Sequence, residues 1–356
     1  FLYFIEIFFC YTTMSDVLTS ATLIALGATE GFAFATCGMS YPSVFRGQMN
    51  FSRNILIQLF LSAVGSSMIT QGLLNKFAPQ KFAASRNHKA ISVGFPRVVG
   101  GCMLIGAGMA IAGSGPTMLP TQLGVSMTSG LAVLLGGIAG GATYALLEKI
   151  GVFGSDFKCK DNQATVLEQV TGGSYSTLAI SLGSALLAAD ILVVPKLLPT
   201  AANFDGLPSQ LITSPIATGI LIGINQIPLR LLTKTGRAGS RSIMNIVATI
   251  TGGKLAGKFK ISGLASATQL IFLWIGTMSG AALASRTLEL PPPKGYTIAE
   301  SFIGGFLMFF GSRIANGCTC GHGVTGFSEL GLQSMAGAAA IFAAGIAVTV
   351  FGGLKV

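Results

Sequence analysis

Long apolar runs alternate with short polar or glycine-rich breaks along nearly the whole chain. A helix needs about 20 apolar residues to cross a bilayer. Nine stretches reach or approach that length: 17–37, 54–75, 94–112, 124–147, 174–195, 209–233, 262–285, 299–316 and 330–351. A shorter one, 242–253, is read as entering only partway. The pattern predicts an all-α polytopic membrane protein of about 9–11 helical spans. Several spans end in glycine- and proline-bearing loops with almost no charge, notably Gly113–Gly124 and Gly317–Gly326. Such loops make poor solvent linkers. They read as broken or re-entrant helices meeting near the bilayer centre, with an ordinary tight turn as the alternative.

Composition narrows the class. Of 356 residues, 51% are hydrophobic and 10% charged, where a soluble domain carries roughly 25% charged residues. A water-soluble globule of this length would lack the polar surface to cover itself, which argues against a soluble enzyme, a disordered tail or a secreted disulfide scaffold. The six cysteines have no framework spacing. The 48 glycines suit close helix packing in lipid. The net charge is +10, but the basic residues sit in short runs between apolar stretches, which suggests inside loops and not nucleic-acid binding. Lys76, Lys81, Arg86 and Lys89 form one such loop, Lys149, Lys158 and Lys160 a second, and Arg230, Lys234, Arg237 and Arg241 a third. If every span crosses fully, these three share the cytoplasmic-type face. The stretch 148–173 mixes Glu148, Asp156, Asp161 and Glu168 with basic residues and reads as a solvent loop joining two halves. The chain opens FLYFIEIFFCYTTM, and Met14 looks like a natural start. Residues 1–16 are therefore set aside as an N-terminal segment of doubtful nativeness, and Cys10 with them.

The halves resemble each other. Gly27, Gly31 and Gly47 recur as Gly219, Gly223 and Gly239, 192 residues later. Gly100-Gly101 and Gly113 recur as Gly304-Gly305 and Gly317, an offset of 204, and Leu123-Gly124 and Gly130 as Leu330-Gly331 and Gly337, an offset of 207. The expected organisation is membrane repeat 1 over 17–147, a polar loop and connector span over 148–208, and membrane repeat 2 over 209–356. The span count puts the second copy in from the opposite side. That is an inverted repeat, with the pathway expected at the repeat interface.

The loops at that interface carry a resemblance. The segment Gly311–Ser334, GSRIANGCTCGHGVTGFSELGLQS, resembles the signature of the YeeE/YedE sulphur-transport family, G-x-R-x-A-x-G-C-T-x-G-H-G-x-x-G. Gly31–Gly38, with Cys37, resembles its first cysteine motif; Met109–Pro116 with Gln122-Leu123-Gly124 resembles its second. The likeness runs from about Gly27 to Gly345. It implies uptake of thiosulfate or a related inorganic sulfur compound through a waisted membrane fold whose path is marked by cysteines. The chain departs at one point. The second motif usually holds a cysteine, as in G-A-C-P, whereas Gly113-Ser114-Gly115-Pro116 has none. Cys102, about three turns earlier, cannot simply substitute.

The chemistry can be argued beside the resemblance. Thiosulfate is a dianion with a soft terminal sulfur, and a neutral thiol can contact it without holding it tightly. Glycine-rich breaks offer backbone N–H groups and helix N-termini to its oxygens. Cys37 and Cys318 are the first candidates for substrate-contacting thiols; small inert core cysteines are the alternative. Cys320 ranks below Cys318, because it stands where the family pattern varies. Ser114 and Gly115 of the second motif are candidate contacts. His322 either holds loop geometry or senses the anion. Cys318, Cys320 and His322 alternate as a soft-metal set would, but no fourth ligand is evident, so no metal is expected. Glu30 lies inside the first span, where it pairs with a basic side chain or carries a coupling proton. Arg313 attracts the anion or pairs with Glu30 or Glu329. Asn225, Gln226 and Arg230 line the path or satisfy broken backbone. No Walker loop, dinucleotide turn or activated nucleophile occurs, so neither an enzyme nor a cofactor is expected. The partners are then a sulfur anion and membrane lipid, in a bacterial cytoplasmic membrane or an organellar (mitochondrial) inner membrane. The alternative is a transport-inactive structural subunit that retains the family fold among membrane-complex partners.

Overall fold

The computed structural model describes residues 14–86, 94–153, 166–198, 212–233, 236–237, 239–251 and 264–354. In chain order the helices are α1 (Met14–Thr36), α2 (Pro42–Met49), α3 (Ile55–Phe77), α4 (Pro79–Ser85), α5 (Phe95–Ala112), α6 (Leu119–Gly124), α7 (Gly130–Lys149), α8 (Leu167–Thr171), α9 (Tyr175–Leu192), α10 (Val194–Leu197), α11 (Pro215–Thr233), α12 (Gly239–Ile250), α13 (Leu264–Thr287) and α14 (Ile298–Ile314). A π-helical turn, Thr319–Gly326, follows, and then α15 (Leu332–Phe351). Among the described residues the only β pairing is an isolated bridge from Val166 to Gly331.

Among the described residues seven helices are long and apolar enough to cross a membrane, and α14 with the π turn, bent by 52°, makes an eighth if the two are one span. α13 has 24 residues, roughly 36 Å at 1.5 Å per residue, and lies along α1. The helices start where the sequence lets them. Pro42, Pro79, Pro96 and Pro120 occupy first-turn positions, where a missing N–H costs nothing. Thr297 and Glu300 close a capping box on α14. The expected span 124–147 begins late, at Gly130, because residues 119–124 fold as the separate α6.

The packing crosses between halves. α1 of the first half lies along α13 of the second, and α11 of the second lies along α3 of the first. α7 packs on α14 and α15 packs on α5, while α5 and α14 pair with each other. α9 lies against α3, outside this set. Backbones approach at glycine: a Cβ at Gly31 would sit 2.0 Å from the Thr277 carbonyl oxygen, and one at Gly280 would sit 1.9 Å from that of Ala28. In lipid, where helices gain nothing by hiding from their solvent, such close contact supplies the dispersion that holds them.

The two waist loops have matching backbones. After α5, Gly113 has φ +59°, and Ser114 N–H reaches the Met109 carbonyl. After α14, Asn316 has φ +54°, and Gly317 N–H reaches the Ser312 carbonyl. One helical turn beyond each loop, Ser126 and Leu330 both have positive φ, and the following N–H groups of Met127 and Gly331 bond Gln122 and Gly326. These pairs run at offsets of 203 and 204. By these turns the counterpart of Leu330-Gly331 is Ser126-Met127, at an offset of 204, where the glycines alone read 207.

Candidate functional site

The waists meet around a buried cavity of about 80 Å³. One water needs only ~10–15 Å³ by this measure, so the space admits a small anion. Phe34, Met39 and Phe45 come from α1 and α2, Met109, Gly115 and Thr117 from the first waist, and Ile222 from α11. Arg237, just before α12, and Thr319, Cys320, Gly323 and Val324 of the π turn complete the waist side. α3 and α15 close the rest with apolar side chains such as Leu59 and Ile341. Among the described lining residues Arg237 alone is charged. A second cavity of about 10 Å³, room for no more than one water, also touches Thr117 and Arg237, against Trp274 and Thr277 of α13.

Thr117 and Cys320 hydrogen-bond each other across the junction of the two waists. They stand 203 residues apart, the same offset as Gly113 and Asn316. Cys320 lines the cavity, with its sulfur against Thr117, and Gly115 lines it too. Cys318 is fully buried behind Cys320, beside Ser240. Cys37 is fully buried with its thiol toward the Phe34 carbonyl at 3.5 Å. It is off the cavity wall, although Phe34 and Met39 on either side of it are on the wall. Ser114 is fully buried, and its hydroxyl has no partner among the described residues.

His322 contacts the Ala315 carbonyl through Nε2 at 3.0 Å and Ser334 through Nδ1 at 3.2 Å. Both ring nitrogens are thus committed to holding the waist, and the cavity is lined without them. Among the described residues no group of three His, Cys, Asp or Glu side chains is placed to hold an ion.

Glu30 and Arg237 form a buried ion pair, and Asn225 donates to Glu30 at 3.1 Å. Arg230 pairs with Glu329 at 2.6 Å and donates to the Ser85 carbonyl. Two expectations change. Arg230 and Arg237 are not loop charges on a membrane face: each is buried and neutralised by a carboxylate more than 90 residues away in sequence. Glu30 and Glu329 accordingly take Arg237 and Arg230 as partners, while Arg313 donates to Ser240 at 2.6 Å, next to Cys318. Asn225, Gln226 and Arg230 are buried but lie off the cavity wall, where α11 contributes Ile222. Lys89, Lys158, Lys160 and Lys234 lie outside the described residues.

Arg237 and Thr117 are the site residues that sequence reasoning passed over. The signal for Arg237 was its place two residues before Gly239, inside the repeated glycine set. Thr117 is the residue after the second motif ends.

The thiosulfate transporter TsuA of Escherichia coli (strain K12) is 34% identical over 114 residues, a match covering 31% of each chain. The chain thus matches less than a third of that relative's length. A family model described as sulphur transport matches residues 37–348, from Cys37 at the end of α1 to within α15. Spanning all of the waist elements in one match, this places the chain in the sulphur transport family, as an integral membrane protein.

Proposed function

We propose that the chain carries thiosulfate or a related small sulfur anion across a membrane, through the cavity where two inverted repeats meet. The observation that carries the reading is the position of Cys320: a thiol on the wall of a buried cavity, at the contact between the two waists. The crossed packing of helices and the matched waist backbones support the repeat. A thiol is a soft, weak donor, suited to brief contact with a terminal sulfur and poor at trapping it. Cys318 behind it and Cys37 beside the wall are the next thiols along the path. The basic loop Lys76–Arg86 suits the inner face of a bacterial cytoplasmic or organellar membrane.

The test is uptake of radiolabelled thiosulfate into proteoliposomes holding this chain alone. Accumulation above empty vesicles, reduced at least tenfold in Cys320→Ser, supports the reading. Folded protein with no uptake removes it. That result would favour the structural-subunit reading, which rests on the first waist holding Gly115 where the resembled motif has a thiol.

A further inference from the structure

We propose that Arg237 is the anion-binding group of the central cavity and that Glu30 is its resting counter-ion, displaced by the arriving anion. The inference deepens the transport reading and rests on it for the site, though not for the identity of the anion.

An apolar cavity rejects a bare anion, because nothing there replaces the lost water. Arg237 is the charged residue on this wall among those described, and it faces both cavities. A guanidinium has five N–H donors in a planar fork, suited to the oxygens of a tetrahedral oxyanion.

The Glu30 pair does not use that capacity fully. The ion pair is made through one terminal nitrogen of Arg237 and Oε1 of Glu30. Arg237 Nε and Glu30 Oε2 are both buried and have no hydrogen-bond partner among the described residues. Arg237 is 3% exposed and Glu30 is 0% exposed, so water does not stand in for those partners from outside. A pair serving packing alone gains most from a bidentate fork with every atom satisfied. This one keeps a donor spare beside a cavity.

The counter-ion has a use of its own. An unopposed buried arginine would hold a dianion too firmly for passage, since conduction requires weak enough binding for release. Glu30 competes for the same fork and favours departure. Asn225 keeps a hydrogen bond on Glu30 after Arg237 turns to the anion.

The experiment is thermal unfolding of the purified chain in detergent, titrated with sodium thiosulfate and, separately, sodium sulfate, with sodium chloride at matched ionic strength as reference. It is run on wild type, Glu30→Gln, and the double variant Glu30→Gln/Arg237→Gln. The double variant removes both charges together, so no lone ion is left buried. Wild type should be stabilised by at least one oxyanion. Glu30→Gln should shift half-saturation about tenfold lower, and the double variant about tenfold or more higher. Should the double variant fail to fold, the direction of the Glu30→Gln shift decides. Wild-type half-saturation in Glu30→Gln or in a folded double variant overturns the proposal, as does the absence of any oxyanion effect on wild type. Arg237-dependent stabilisation by sulfate alone supports this site while removing thiosulfate as the proposed substrate. Arg237-independent stabilisation by thiosulfate does the reverse.

Discussion

Phe45 and Arg237 stand two residues before Gly47 and Gly239, and both lie on the wall of the central cavity. Ile222 and Glu30 are related by the same 192-residue offset. In the proposed repeat these matched positions hold an apolar pair, Phe45 from the first half and Ile222 from the second, and an ion pair, Glu30 from the first half and Arg237 from the second. The same contrast recurs at the waists. The first holds Ser114, Gly115 and Thr117; the second holds Cys318 and Cys320. The backbone turns match, so the fold itself does not demand charge or thiol at these places. Buried ion pairs are poor stabilisers compared with apolar side chains of similar volume. The apolar pair shows what packing alone requires, and the charged pair is the departure that calls for a chemical explanation.

Substitutions can break or sharpen this comparison. The largest effect should come from the buried pair of the second half. Glu329→Gln leaves Arg230 buried without its counter-charge and should cost about 3–5 kcal/mol. Glu300→Gln acts on the Arg46–Glu300 pair, whose carboxylate side chain is 32% exposed. Solvent shares that load, so the cost should stay near ~1 kcal/mol. Unfolding midpoints in detergent decide; equal losses would mean that burial does not distinguish the two pairs.

Close packing gives the next effect. Gly106 faces α15, where a Cβ would lie 2.0 Å from the Ile341 carbonyl oxygen. Gly137 faces α14, where a Cβ would meet the Phe309 ring at 2.4 Å. Gly106→Ala must separate two backbones and should cost ~1–3 kcal/mol. Gly137→Ala needs only a ring to yield and should cost less. The two unfolding midpoints, compared directly, test the equivalence of these interfaces.

Gly115→Cys should change stability least, within ~1 kcal/mol, because a Cβ there meets only side-chain atoms, the nearest 3.4 Å away on Phe45. It gives the first waist the thiol that the family motif holds. Uptake of labelled thiosulfate in proteoliposomes should rise about threefold or more if thiols limit passage. An unchanged rate would show that the first waist works without one.

The spans were legible because their information is local. Apolar length alone placed α1, α3, α5 and α15 within a few residues of their observed ends. The short helices α2, α4, α6, α8 and α10 were not, since four to eight residues carry too little periodicity to stand out from the loops around them. Cys320 and Gly115 reached the candidate set through the motifs and do line the cavity. Cys37, Cys318 and Ser114 reached it the same way and stand just behind the wall. Arg237 was misread for a physical reason. A basic residue in a short break is ordinarily a loop charge, and what buries this one is a carboxylate 207 residues earlier in the chain. Only the crossed packing of α11 on α3 and α1 on α13 brings the two halves close enough to pair them.

The contact between Thr117 and Cys320 joins the two waists at the cavity, so it offers a lock on the proposed path. Thr117→Cys sets a second thiol against Cys320, at side-chain contact, where a disulfide can close. Thiosulfate uptake should fall at least tenfold in oxidised proteoliposomes and recover on reduction, with disulfide formation followed by mass. Undiminished uptake through the oxidised protein, or failure of the two thiols to join, would contradict passage between the waists.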